Sequence, residues 1–192
     1  MVKCRQTPDT TALAWTFDLL LHNPATLARL TAEIRDDGEE EYLRAVIAEA
    51  LRLRPVIPLA GRRLRRDLTV GPWQLDAGTD VTPSIWLTHT NPAVYPSPMA
   101  FQPERFLQNA PSTYGWIPFG GGIRRCLGAA FAELEMRIVL RTVLSRCELQ
   151  ALSEQPEPIA RRNVTLTPKH GTRIRVLAKA AANRTEAQPA AV

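Results

Sequence analysis

Residues 118–128, PFGGGIRRCLG, gather within one short segment the residue types that could do chemistry. Three consecutive glycines give the backbone a freedom that a packed core does not need, and they cost conformational entropy. Arg124 and Arg125 directly precede Cys126. Positive charge beside a cysteine favours the thiolate, which is the nucleophilic and metal-binding form. The segment therefore predicts that a ligand approaches the backbone closely and that a thiolate is used.

Four kinds of site could place a glycine-rich loop before a helix. A dinucleotide fingerprint needs a third glycine where Arg125 stands, and Pro118 interrupts the lead-in. A phosphate-binding loop would end in Gly-Lys-Ser/Thr, which this segment does not. A nucleophilic cysteine needs a base, and the three histidines, His22, His89 and His170, have no cysteine-protease context. The pattern favours the fourth kind, a thiolate ligand to the metal of a large flat cofactor.

The thiolate-ligand interpretation accounts for each neighbour of Cys126. The cysteine precedes a predicted helix, whose dipole favours an anion at that end. Glycines 120–122 let the backbone lie close to a planar ring, Phe119 can pack beside the sulfur, and Gly128 leaves room for the ring. The proximal ligand of haem iron is the known use of such a thiolate. The alternative is a buried structural cysteine beside a flexible turn.

The segment FGGGIRRCLG resembles the haem-binding signature of cytochromes P450, F-x-x-G-x-R-x-C-x-G. Phe119, Gly122, Arg124, Cys126 and Gly128 fill every defined position of that signature. The resemblance implies haem b as the cofactor, with Cys126 as the axial ligand of its iron. It also implies that Arg124 pairs with a haem propionate, because guanidinium and carboxylate groups form bidentate pairs.

Two further motifs follow in the order of that family. EALR, from Glu49 to Arg52, matches the family's E-x-x-R, and FQPERF matches its P-E-R-F segment. By itself a Glu and an Arg three residues apart are a common solvated pair on a helix surface. The resemblance implies instead a buried charge triad of Glu49, Arg52 and Arg105, in which each charge needs its partners.

Two other segments resemble family elements over fewer residues. GRRLRRDLTV resembles the strand that supplies an arginine to a haem propionate, with Arg62 as the best match; the alternative is a solvated basic strand edge. DTT resembles the end of the central-helix motif [AG]-G-x-[DE]-T-[TS], so that Asp9 and Thr10 would relay protons to the reacting oxygen. Gln6 and Thr7 stand where the motif has a small residue and a glycine, and a simple helix cap is the alternative.

Hydrophobic periodicity predicts the elements that position these residues. Helices are expected from Asp9, from Pro24 to Gly38, from about Glu39 to Arg54, and after the glycine-rich loop to about Arg146. The segments DLTVGPWQL and TDVTPSIWL predict short strands, and TLTPKHGTRIRV predicts a hairpin. The expected fold class is mainly α with small β-sheets (α+β). It resembles the C-terminal portion of the P450 fold, truncated within the long central helix.

Length and composition predict one globular domain. The chain has 192 residues, of which 45% are hydrophobic and 22% charged. Residues 1–8 are expected to be an atypical start, residues 9–178 the P450-like part, and residues 179–192 a disordered tail. No apolar run reaches the length of a membrane span. The three separated cysteines argue against a disulfide framework and favour a cytoplasmic location.

The resemblance implies a haem-thiolate monooxygenase that inserts one atom of O2 into a small organic substrate. The net charge is +5, and Arg124, Arg125, Arg137 and Arg141 would suit an acidic ferredoxin or a flavin reductase as electron donor. Family members are usually more than twice as long as this chain. The alternative is therefore a truncated, inactive fragment with at most residual haem binding. A nucleic-acid-binding module would also explain the charge, but no recognition-helix pattern or aromatic platform accompanies it.

Overall fold

The computed structural model of the protein describes residues 8–36, 38–107 and 112–179. Of the predicted atypical start, residues 1–8, and the predicted tail, residues 179–192, all but Pro8, which begins α1, and Lys179, which ends β8, lie outside these residues. The helices are α1 (Pro8–Leu21), α2 (Pro24–Arg35), α3 (Glu41–Leu53), α4 (Ile85–His89) and α5 (Ala129–Arg146). Two short 3₁₀ helices cover Pro103–Phe106 and Gly122–Arg124.

Within the described residues, the strands form four separate antiparallel pairs. They are β1 (Arg62–Arg63), β2 (Leu68–Val70), β3 (Trp73–Leu75), β4 (Asp80–Val81), β5 (Cys147–Ala151), β6 (Ile159–Arg162), β7 (Thr165–Pro168) and β8 (Ile174–Lys179). β1 pairs with β4, β2 with β3, β5 with β8, and β6 with β7. The predicted class, mainly α with small sheets, is confirmed. Among the described helices, none combines the length and the apolar character needed to cross a membrane.

The core lies where α1, α2, α3 and α5 meet. Leu20, Leu30, Leu43, Met136 and Leu140 are fully buried there, and every one of the four helices supplies at least one of them. These helices present apolar residues at intervals of three and four, which places those residues on one face. Helix packing therefore supplies the rigid frame, and the small sheets and loops are attached to it.

Two predictions are corrected: TDVTPSIWL is a strand only at Asp80–Val81, which is β4, and TLTPKHGTRIRV does not form the predicted hairpin. The residues SIWLTH form a helix, α4, because the Ser84 hydroxyl accepts a hydrogen bond from the Leu87 amide at 3.1 Å and caps it. The segment TLTPKHGTRIRV does not pair with itself. Its first half, β7, pairs with β6 across a turn at Asn163, whose φ is 54°, and its second half, β8, pairs with β5. Asparagine tolerates this left-handed conformation. The hairpin turn therefore lies between β6 and β7, before the segment in which it was predicted.

The first helix is bound to the last third of the chain. The indole nitrogen of Trp15 donates to the Leu166 carbonyl at 3.1 Å, and the Asp18 carboxylate accepts from the Glu157 amide at 3.1 Å. Trp15 and Asp18 are both buried. β7 and the segment before β6 therefore pack against α1.

Candidate functional site

The glycine-rich loop places Cys126 in front of α5. The Cys126 amide donates to the Phe119 carbonyl at 2.9 Å, which closes the loop on itself. Gly128 caps the helix, and α5 begins at Ala129. The Cys126 side chain is free and exposed. The sulfur thus lies at a helix N-terminus, where the unpaired amides favour a negative charge.

The backbone conformation favours glycine at two positions in this loop. Gly120 and Gly122 have φ values of 71° and 63°, a conformation that side chains rarely adopt. No atom lies within 4 Å of a Cβ built on Gly120, so its outer face is open. A Cβ on Gly128 would lie 3.9 Å from the Cys126 sulfur. The loop therefore presents bare backbone at Gly120.

The loop forms one wall of a cavity of about 620 Å³. The apolar part of its lining includes Ala12, Val56, Leu59, Phe131, Met136 and Val164. These residues come from α1, the connection between α3 and β1, α5 and the β6–β7 turn. The volume lies in the range of small-molecule and cofactor sites, and an apolar lining with few polar groups is typical of them.

Most of the predicted haem contacts share this cavity. Arg62, Arg124 and Asp9 line it together with Cys126, as do Phe119 and Gly128. The Arg62 guanidinium donates to the Gly61 carbonyl at 2.8 Å, and the arginine remains exposed. Two predicted residues are not part of the described lining: Thr10, which is exposed on α1, and Gly122. The structure thus brings one thiol, two guanidinium groups and one carboxyl to a single apolar cavity.

A row of aromatic rings packs against Phe119. Tyr95, Phe106, Trp116 and Phe119 follow one another with centroid distances of 6.4, 6.4 and 6.2 Å. The rings are tilted or edge-on, which are the favoured arrangements of aromatic pairs. The indole nitrogen of Trp116 also donates to the Ala48 carbonyl in α3 at 3.0 Å. The loop is therefore attached to the helical core.

The structure brings Glu49, Arg52 and Arg105 into one ion-pair cluster. Arg52 donates to the two Glu49 oxygens at 2.6 and 2.8 Å, and Arg105 donates to Glu49 at 3.2 Å. Glu49 and Arg52 are completely buried. Arg52 also donates to the carbonyls of His89 and Pro98 at 2.7 and 2.8 Å. The cluster thus fixes the proline-rich segment between α4 and the loop onto α3.

Sequence reasoning missed His89. This residue ends α4 and is completely buried. Its ring nitrogens bond to the Arg52 carbonyl and to the Ile117 amide. Burial lowers the pKa of His89 to about 4, so the ring is neutral at pH 7. A lone histidine has no motif of its own. The one available signal was its position directly before the residues Thr90-Asn91-Pro92.

Comparison with known proteins decides the family. A sequence model described as Cytochrome P450 matches residues 7–176. The chain belongs to the cytochrome P450 family. Among curated P450 relatives, the Mycobacterium tuberculosis protein named "Putative cytochrome P450 137" is 46% identical over 165 residues. The alignment covers 86% of this chain and 34% of that relative.

Solved P450 structures share the fold. CYP175A1 from Thermus thermophilus is 37% identical with a TM-score of 0.74, over 88% of this chain and 41% of that one. The cytochrome P450 CYP102L1 is 27% identical with a TM-score of 0.80, over 91% of this chain and 43% of that one. The chain thus spans about a third to two fifths of the P450s that it matches, and it corresponds to the C-terminal portion of the fold.

Proposed function

We propose that the chain carries the haem-thiolate half of a P450 monooxygenase, which inserts one atom of O2 into a small organic substrate. The observation that carries this proposal is the accessible Cys126 thiol on the wall of an apolar cavity with two arginines. A thiolate-ligated haem supplies O–O bond cleavage when it is bound. The residues of the chain supply the ligand, the countercharges and the shape of the site.

Haem b matches the chemistry of the cavity. The molecule is flat and largely apolar and carries two carboxylates, and the cavity is apolar with Arg62 and Arg124 in its lining. We assign Cys126 as the axial ligand, because its sulfur lies where the helix dipole and Arg124 favour the thiolate. Guanidinium groups bind carboxylates through two parallel hydrogen bonds, so both arginines are assigned to the propionates.

Asp9 is assigned to proton delivery. Its carboxyl group lies in the first turn of α1 and lines the cavity, on an element other than the one that carries Cys126. Thr10 follows on the same turn, and a neighbouring acid and alcohol can together hold and pass a proton. The role of Asp9 is supported by its position, and that of Thr10 by sequence adjacency and the family motif.

The proposed electron donor is an acidic ferredoxin or a flavin reductase. Arg124 and Arg125 are exposed beside Cys126. Arg137 and Arg141 are engaged with Glu40 at 3.0 and 2.9 Å, and the hydrogen bond from Arg141 lowers the pKa of that carboxyl. Their charge is therefore partly compensated within the chain. Arg124 is assigned to a propionate, so the attraction of an acidic partner is assigned mainly to Arg125.

A second candidate is a P450 portion that binds haem without turnover. The observation that favours it is how little of each relative this chain covers. It covers 34% of the mycobacterial protein and 41–43% of the solved structures. Substrate selection and closure of the cavity would then depend on residues outside this sequence. The two candidates share the haem site and differ in whether the loaded chain oxidises a substrate.

One spectroscopic experiment tests the shared part of both candidates. The chain is expressed with added haem, reduced and exposed to carbon monoxide, and its Soret band is recorded. We expect a red-shifted thiolate-type band that Cys126→Ser abolishes. Cys147→Ser is the matched control, because Cys147 lies in β5 and outside the cavity lining. A band that survives Cys126→Ser, or no haem uptake, would refute the proposal. Turnover with a reductase then separates the two candidates.

A further inference from the structure

His89 connects the buried ion-pair cluster to the cysteine loop. It lies at the end of α4, and its ring is enclosed between α3 and the residues that lead into the loop. Nδ1 lies 3.1 Å from the Arg52 carbonyl oxygen, and Nε2 lies 2.9 Å from the Ile117 amide nitrogen. One ring therefore joins a rigid helix to a segment that belongs to no regular element.

The two partners determine the tautomer. The Ile117 amide can only donate, so Nε2 must carry a lone pair and no proton. The Arg52 carbonyl can only accept, so Nδ1 must carry the proton. Only the neutral Nδ1–H form makes both bonds, since a protonated ring would turn Nε2 into a donor facing another donor.

Arg52 holds His89 from a second direction. The Arg52 guanidinium donates to the His89 carbonyl at 2.7 Å, while the Arg52 carbonyl accepts from the ring. The same guanidinium is fixed by both oxygens of the buried Glu49. The ring therefore cannot shift without breaking bonds inside a completely buried cluster, which makes it a firm anchor for Ile117.

Backbone hydrogen bonds continue from Ile117 to the cysteine. The Ile117 carbonyl accepts from the Gly120 amide at 2.9 Å, and the Phe119 carbonyl accepts from the Cys126 amide at 2.9 Å. We propose that His89 is a positioning residue for the thiolate. By accepting from Ile117, its Nε2 holds the loop so that the Cys126 sulfur faces the cavity. This inference rests on the proposed haem-thiolate site.

Two substitutions separate the two ends of the ring. In His89→Gln, the side-chain amide reaches the place of Nε2 and can still accept from Ile117. In His89→Asn, the amide reaches only the place of Nδ1, so it can donate to the Arg52 carbonyl and leaves Ile117 without its acceptor. Each variant loses one hydrogen bond and the ring, which makes each the control for the other.

The first readout is hydrogen exchange of the peptide that contains Ile117, in the chain without haem. We expect exchange in His89→Asn to be about fivefold faster than in the unmodified chain, the factor that one net hydrogen bond supplies. Exchange in His89→Gln should stay within about twofold of the unmodified chain, because the Ile117 acceptor remains. Equal exchange in the two variants would reduce His89 to an ordinary core residue and overturn the proposal.

The second readout is the fraction of haem with the thiolate-type band after reduction with carbon monoxide. We expect His89→Gln to keep this fraction and His89→Asn to lower it. Nitrogen-15 spectra of the histidines in the unmodified chain serve if His89→Asn does not fold. A proton on Nε2 would overturn the proposal, and one on Nδ1 would support it. Neither exchange nor tautomer requires haem, so a missing thiolate band in the unmodified chain refutes the proposed function separately.

Discussion

Glu49 is a buried carboxylate whose two oxygens are both fully used. One oxygen accepts from Arg52, and the other accepts from Arg52, Arg105 and the backbone amide of Gln102. The carboxylate therefore joins α3 to the 3₁₀ helix at Pro103–Phe106, and it is fully shielded from solvent. Such an ion pair stabilises the fold little compared with apolar side chains of similar volume. Removing one partner, however, leaves the other charge buried without compensation.

We expect Glu49→Gln to lower the free energy of unfolding by about 3–5 kcal/mol, because Arg52 keeps its charge in a buried site. The measurement is the midpoint of urea unfolding. Asp80→Asn is the control: its carboxylate pairs with Arg63 at 2.9 Å, and both side chains are exposed. That surface pair should contribute less than about 1 kcal/mol. Similar midpoints for the two variants would contradict a buried cluster.

His89 should make stability depend on pH in the acid range. Burial is the main cause that lowers its pKa from 6.5 to about 4; the Arg52 guanidinium adds to the effect, and the hydrogen bond to the Arg52 carbonyl opposes it. The unfolded chain therefore binds the proton first. The contribution of His89 is fully present above pH 6.5 and is lost as the pH falls to about 4.

We expect the stability advantage of the unmodified chain over His89→Gln to shrink by about 2–3 kcal/mol between pH 7 and pH 4, since one pKa unit corresponds to about 1.4 kcal/mol. Urea unfolding at a series of pH values measures this advantage. Glutamine does not titrate, so the other acid-sensitive groups cancel in the comparison. A difference that stays constant with pH would show that His89 titrates normally.

At the residue scale, the sequence was most informative where a motif is local. Five positions around Cys126 were enough to predict the loop, and the motifs at Glu49 and in PERF predicted partners that the structure brings together. His89 was missed because its partner, Ile117, lies in a distant loop. Such a contact depends on how α4 packs on α3, which no local pattern specifies.

At the scale of elements, α5 is apolar on more than one side. Met136 and Leu140 are completely buried against the other helices. Phe131, Leu134 and Ile138 lie on another face and are 66%, 44% and 55% exposed. Their spacing of three and four residues makes a continuous apolar stripe along the helix. An exposed stripe of this kind favours self-association of the isolated chain.

We expect the double substitution Leu134→Gln and Ile138→Gln to increase the monomeric fraction in sedimentation experiments. The cost in stability should be within about 0.5 kcal/mol per site, because both side chains are exposed. Met136→Gln is the contrasting variant, since it would bury an amide in the core and unfold the chain. An unchanged association state in the double variant would show that this face does not mediate self-association.

The sequence predicted helices better than strands. A helix is determined by its own periodicity, and the bounds of α1, α3 and α5 lie within a few residues of those predicted. A strand depends on its partner. β7 and β8 are adjacent in sequence, yet each pairs with a strand that precedes both of them. α4 was misread because its short apolar run fits either period, and the cap at Ser84 decided the outcome.

At the scale of the whole molecule, haem should act as a folding ligand. The cavity is lined by residues of α1, α3, α5 and the β6–β7 turn, so an occupant would contact elements from both ends of the chain. A ligand that binds only the folded state at 100 times its Kd adds about 2.7 kcal/mol. We therefore expect haem to raise the Tm by several degrees, and by clearly less in Cys126→Ser. Equal shifts in differential scanning fluorimetry would show that binding does not use the thiolate.

The hydrogen bond from Trp15 to Leu166 joins residues that are 151 positions apart in sequence. A ribosome adds about 5–20 residues per second, so α1 emerges roughly 8–30 s before its partner strand exists. During that interval α2, α3 and α5 can already pack on α1, but the Trp15 indole lacks its acceptor and the cover that β7 provides. The first helix of this chain therefore completes its native contacts only after the last third of the chain has been made. A nascent chain stalled before residue 166 should be cleaved by protease around Trp15 more readily than the full chain.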